Sequence, residues 1–160
     1  MVLFLERPGV GLRYLKTEFD NMLKIEHIGI AVKSLAEAVP LYEALLNSKM
    51  YKREEVVSEQ VVTAFFRTGE SKIELLESTD SEGVIAKFIE KKGEGIHHIA
   101  FEVADIEAEM ARLVSEGFML INKEPKRGAD NKMVCFLHPK TTNGVLIELC
   151  TDVAHVESIS

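Results

Sequence analysis

The chain repeats itself, and the repeat limits its fold more than any other property. The run HIGIAVKSLAEA (27–38) has a counterpart 71 residues later in HIAFEVADIEAE (98–109). A second pair follows, because Ile73-Glu74-Leu75-Leu76 matches Ile147-Glu148-Leu149-Cys150 at a spacing of 74. The halves therefore differ by a three-residue insertion, and they read as modules 24–77 and 96–150 joined by a helical connector at 81–93. Units of this size cannot bury a full core alone, so the two are expected to make one domain over 24–150. Residues 1–23 form an accessory N-terminal segment and 151–160 a tail.

Each module reads in the same order. Alternating side chains predict strands at 24–32 and 95–103. A helix follows in both. Ser34 and Glu37 have capping-box spacing ahead of apolar positions that run to Leu46, with Pro40 inside the pattern. In the second module Asp105 is the N-cap, Ile106, Met110, Leu113 and Val114 form the apolar stripe, and Gly117 is the stop. Extended runs come next at 61–67 and 71–76, and again at 133–137 and 145–150, with weaker ones at 51–57 and 119–122. Strand, helix and about three strands, twice over, is an α+β arrangement of two βαβββ modules. Leu12, Leu15, Phe19 and Met22 fall at helical spacing ahead of the repeat and predict an accessory helix.

No stretch approaches the roughly 18 consecutive apolar residues of a membrane span. Glu6 and Arg7 interrupt the place where an export signal needs a continuing apolar core. Cys135 and Cys150, the only cysteines, have a spacing that suits neither a disulfide framework nor a thiolate metal site, so a reducing, cytoplasmic setting is expected. A formal net charge of −7 argues against nucleic acid, which needs a basic face. The charge is unevenly spread. Lys123, Lys126, Arg127, Lys132 and Lys140 against Glu124 and Asp130 make a local +3 over 123–140, leaving −10 elsewhere.

Strand parity decides what accompanies each histidine. His27 shares a face with Gly29 and Ala31, and His98 with Ala100 and Glu102, while Ile28, Ile30 and Val32, or Ile99, Phe101 and Val103, take the other. Small neighbours leave room in front of each imidazole. Glu74 and Glu148 likewise point away from Ile73 and Leu75, or Ile147 and Leu149, and a carboxylate in an apolar strand is costly unless paired or bound to a cation. Two imidazoles and two carboxylates in equivalent slots make a mixed nitrogen and oxygen site for a divalent ion such as Co²⁺, Mn²⁺, Ni²⁺, Fe²⁺ or Zn²⁺. By the same parity His97 points the other way and is structural. His138 and His155 have no repeat partner and are not expected to be ligands.

The stretches IEHIGIAV (25–32), KIELLE (72–77), IAKFIEKKGEGIHHIAFEV (85–103) and FLHPKTTNGVLIEL (136–149) carry a resemblance to a known family. Over 24–150 the chain resembles the vicinal oxygen chelate superfamily, which includes glyoxalases, bleomycin resistance proteins and dioxygenases, and within it the methylmalonyl-CoA epimerase family. The resemblance implies a cupped, mixed, mostly antiparallel sheet around a divalent metal, Co²⁺ foremost or Mn²⁺, Ni²⁺ or Zn²⁺. It implies His27, His98 and Glu148 as ligands, with Glu74 in a fourth slot where some relatives have glutamine. The implied reaction interconverts (R)- and (S)-methylmalonyl-CoA through a metal-stabilised enolate, in a cytoplasmic homodimer serving propionate metabolism. Thr63 stands where some relatives carry a glutamate, and threonine cannot be the general base. Glu148 is therefore the expected base, with the second proton donor open among Glu74, a water on the metal and Glu59. Lys126, Arg127, Lys132 and Lys140 are expected to hold the phosphates of coenzyme A or the substrate carboxylate. The same ligands would also serve a glyoxalase-type isomerase or a ring-cleaving dioxygenase. A metal-free small-molecule binding module would have no use for four of them in register.

Overall fold

The computed structural model describes residues 22–154 as β1 (Met22–Ala31), α1 (Leu35–Leu46), β2 (Lys52–Val56), β3 (Val61–Thr68), β4 (Ser71–Ser78), α2 (Val84–Lys92), β5 (Gly95–Val103), α3 (Ile106–Ser115), β6 (Lys126–Arg127), β7 (Lys132–Leu137) and β8 (Ile147–Asp152). All eight strands join one sheet in the order β2-β3-β4-β1-β5-β8-β7-β6. β1 pairs with β4 and β5 with β8 in parallel, whereas the other neighbours are antiparallel. The order is symmetric about the antiparallel β1–β5 pair, so the two βαβββ halves fuse through their first strands into one curled sheet.

Alternation along the strands divides this sheet into two faces. On one, α1 packs Leu35 and Ala38 against Ala64, Phe66 and Leu75, and α3 packs Ile106, Met110 and Leu113 against Val103, Cys135, Leu137 and Leu149. Each of the larger apolar side chains contributes about 2 kcal/mol by leaving water, and each alanine methyl less. The opposite face holds the polar residues of the strands. α2 covers one end of it, setting Ile85 on Ala31, Val61 and Leu76.

Several local expectations are corrected. Ser34 precedes α1 without a side-chain cap, and the first free amide of the helix, that of Leu35, donates to Glu77 Oε2 on β4 at 2.6 Å. Asp105 does cap α3, accepting from the Ala108 amide at 3.0 Å, and Gly117 follows at φ +91°. Val114 leaves the apolar stripe and is 54% exposed, while Glu109, held by Arg112, is fully buried. Residues 119–122 contribute only a bridge from Leu120 to Leu137, and the edge strand is reduced to Lys126–Arg127. Pro125, Gly128 and the left-handed pair Asp130 and Asn131 keep this stretch in turns. Met22 belongs to β1 rather than to a helix, and Leu12, Leu15, Phe19 and His155 lie outside the described residues. No helix among the described residues is long and apolar enough to cross a membrane.

Candidate active site

Register places the four suspected ligands in two rows across the sheet. One row runs Phe65, Glu74, Gly29 and His98 through β3, β4, β1 and β5. The other runs His27, Ala100, Glu148 and Phe136 through β1, β5, β8 and β7. Each row is the symmetry mate of the other, and each combines a carboxylate from one half of the chain with an imidazole from the other half. Gly29 and Ala100 are the small residues between them. A β-carbon added at Gly29 would clash with Cε1 of His98, so any larger residue here must displace the imidazole.

The four side chains are buried and converge. His27 Nε2 lies 3.0 Å from His98 Nε2 and 3.2 Å from Glu74 Oε2, and His98 Nε2 lies 3.5 Å from Glu74 Oε2. Glu148 approaches from the other side, 3.4 Å from His98 Nε2 and 3.9 Å from His27 Nε2. Bonds of roughly 2.0–2.2 Å to one ion separate neighbouring donors by about 3.0 Å at right angles and about 3.4 Å at tetrahedral ones. The separations among His27, Glu74 and His98 match, with Glu148 set a little wider on the His27 side, and the donor set suits a borderline or hard divalent cation. His27, Glu74 and His98 form the tightest group, their donor atoms all within 4.8 Å of one another.

The electrostatics agree. Burial works against a charge on His27, but hydrogen bonds to Glu26 and Glu74 outweigh it and hold the imidazole up at about 10. Burial likewise opposes ionisation of Glu74, yet His27 and His98 hold it down at about 2. Glu148 is pushed up by burial, which the two imidazoles do not fully offset. Glu74, held ionised, draws positive charge into the site, as a cation-binding pocket must.

Above the four lies a cavity of about 230 Å³, walled by Val61, Thr63, Phe65, Leu76, Ile85 and Phe136. Thr63 sits fully buried on that wall. Of the basic residues of 123–140, Lys126 and Lys132 line the cavity. Lys126 meets Glu59 at 2.5 Å, bridging the two halves of the chain. Lys132 is not available to substrate phosphates, because Asp152 at 2.9 Å, Glu26 at 3.6 Å and Glu102 at 3.9 Å surround it. Arg127 and Lys140 are exposed and outside the cavity wall.

His97 corrects the parity argument. It faces the cavity, its Nδ1 3.0 Å from Nδ1 of His98, and burial together with the charge of His98 lowers it to about 4. The pairing explains why, since Gly29 faces His98 but Ile30 faces Ile96, leaving His97 as an extra residue in a bulge. Glu26 was also missed. Between Ile25, opposite Phe101, and His27, opposite Ala100, it too is an extra residue, and it accepts from His27 Nδ1 at 2.5 Å. The visible signal was a polar doublet, Glu26-His27 and His97-His98, at the same place in both modules.

Residues 26–136 match the family model of the Glyoxalase/Bleomycin resistance protein/Dioxygenase superfamily, and the chain belongs to that superfamily. Within it the chain falls among the methylmalonyl-CoA epimerases. It is 39% identical over 128 residues, 79% of its own length and 96% of the relative's, to the ethylmalonyl-CoA/methylmalonyl-CoA epimerase of Cereibacter sphaeroides. A methylmalonyl-CoA epimerase of Streptomyces coelicolor, solved in complex with 2-nitronate-propionyl-CoA, superposes with a TM-score of 0.78 at 36% identity, covering 83% of this chain and 96% of that one. The uncharacterized protein YqjC of Bacillus subtilis is 40% identical over 129 residues, 81% of this chain and 92% of that protein.

Proposed function

We propose that this chain interconverts (R)- and (S)-methylmalonyl-CoA, using a divalent cation held by His27, Glu74, His98 and Glu148. The observation that carries the reading is the convergence of two imidazoles and two buried carboxylates, one of each from either half, beneath a cavity with apolar walls. The named relatives support the substrate class. The Streptomyces coelicolor enzyme was solved with 2-nitronate-propionyl-CoA, and a methylmalonyl-CoA epimerase structure holds methylmalonyl-CoA itself.

The proton to be moved lies between a thioester and a carboxylate, and its removal sends negative charge to the thioester oxygen. When bound, the cation supplies Lewis-acid stabilisation of that charge, worth several kcal/mol. Glu148 is the general base: it stands apart from the tight His27, Glu74 and His98 group, and a ligand that loosens from the cation frees its carboxylate to take the α-proton. Delivery of a proton to the opposite face of the flattened carbon, by Glu74, a water or Glu59 as the second acid, inverts the centre and leaves the first proton on Glu148. Phe65 and Phe136 flank the two carboxylates in the sheet and keep water from the reacting carbon. Lys126 offers its ammonium to the anionic substrate, which exchanges for Glu59. The enzyme works as a cytoplasmic homodimer, a subunit count that sedimentation checks.

The deciding experiment is incubation with methylmalonyl-CoA in deuterated water, with the α-proton followed by NMR. Exchange and epimerisation are expected. Metal-loaded protein that leaves the α-proton in place would remove the reading.

A further inference from the structure

The two bulges sit at equivalent places. Glu26 and His97 each precede a suspected ligand, and their separation of 71 residues equals that of His27 and His98. In an unbroken strand the residue before a histidine points to the opposite face. Here the extra residue in each strand turns it back to the cavity side, where it meets Nδ1 of the histidine that follows. Both histidines consequently direct Nε2 toward the other, 3.0 Å apart.

We infer that Glu26 and His97 are paired positioning residues, which fix the ring orientation and tautomer of His27 and His98 so that both Nε2 atoms are presented to one divalent cation. The inference rests on the proposed metal site. Hydrogen bonding of the second ring nitrogen is what fixes the tautomer and orientation of a metal-binding imidazole. Each positioning residue is anchored in turn. Glu26, only 3% exposed, is gripped by Lys72 from β4 and approached by Lys132 from β7 at 3.6 Å. His97 stacks edge-on against Phe88 of α2, with ring centroids 5.0 Å apart. The two shells differ chemically. A carboxylate on His27 increases its basicity as a ligand, whereas an imidazole on His98 orients it without adding charge, so the Glu26 contact has the larger effect.

The test titrates full-length protein with Co²⁺ and reads affinity by chelator competition and ligation by the visible spectrum. Glu26→Gln is expected to weaken Co²⁺ binding about 10–100-fold. His97→Leu is expected to weaken it about tenfold, and His97→Asn, which keeps a polar atom near the Nδ1 position, to recover to within about threefold of wild type. In Zn²⁺-loaded protein Glu26→Gln should shift one downfield ring N–H signal upfield, and His97→Leu should remove one. Should Glu26→Gln fail to fold, the contrast between His97→Leu and His97→Asn decides. Wild-type affinity and spectrum in both Glu26→Gln and His97→Leu overturn the positioning roles while leaving the metal site standing. Wild-type protein that takes up no Co²⁺ overturns the metal reading and this inference with it.

Discussion

Gly29 and His98 are register partners on neighbouring antiparallel strands, and the His98 imidazole fills the space that any side chain at Gly29 would need. Gly29 does not have a left-handed φ, so alanine there is opposed by the ring alone and not by the backbone. Gly29→Ala is expected to push His98 aside and lower divalent-metal affinity at least 100-fold, with the circular dichroism of the fold retained. Metal content after purification checks it.

Glu148 and Glu74 occupy symmetric slots but are assigned different work. Glu148→Gln should slow α-proton exchange by about 10²–10⁴-fold, the usual contribution of a general base. Glu74→Gln keeps an oxygen donor and should retain exchange within about tenfold of wild type. Equal losses in the two variants, measured by NMR in deuterated water, would contradict the assignment of Glu148 as base.

A cation bound only by the folded chain stabilises it by mass action. Metal at 100 times its Kd should add about 2.7 kcal/mol, raising Tm by about 5–10 °C over chelator-treated protein. Chelation should also abolish epimerisation and added Co²⁺ should restore it. Calorimetry with and without chelator tests the first point.

Among the basic residues of 123–140, Lys126 lines the cavity and Lys140 does not. Lys126→Ala should raise KM about tenfold, near 1.4 kcal/mol, and change kcat by less than about twofold. Lys140→Ala should change neither. Steady-state kinetics on both variants separates a substrate contact from a general charge effect.

Asp130 tethers its turn to β2 and β4 through Lys52 at 3.0 Å and Lys72 at 2.7 Å. Burial opposes its ionisation, but the two ammonium groups outweigh that and hold its carboxyl below the ordinary value. Its stabilisation is therefore full above a pH of about 4, where the unfolded carboxyl is ionised, and is lost as pH falls through the lowered native value. Asp130→Asn should cost about 2 kcal/mol at neutral pH, and the gap in Tm from wild type should close in acid.

Much of this architecture was legible in the chain because the repeat supplied two readings of each element. Parity put His27, Glu74, His98 and Glu148 on one face, and the structure gathers all four. What escaped was set by contacts between distant residues. Parity misplaced His97 because it assumes an unbroken strand, and the bulge depends on how β1 and β5 pair. Lys132 looked free for substrate until Glu26, Glu102 and Asp152 closed around it. The start of α1 is satisfied in part by Glu77, 42 positions from Leu35, and not by the Ser34 side chain.

The two rows across the sheet also bear on how the protein matures. Each row needs strands from both halves, and β8, carrying Glu148, is the last strand in the described chain. During synthesis the first half leaves the ribosome with His27 and Glu74 but without the strand that stands between β1 and β8. No partial product owns the complete donor set, and pairing this distant in sequence is slow to form. Uptake of the ion is therefore expected to be a late event, reporting that the whole sheet has closed.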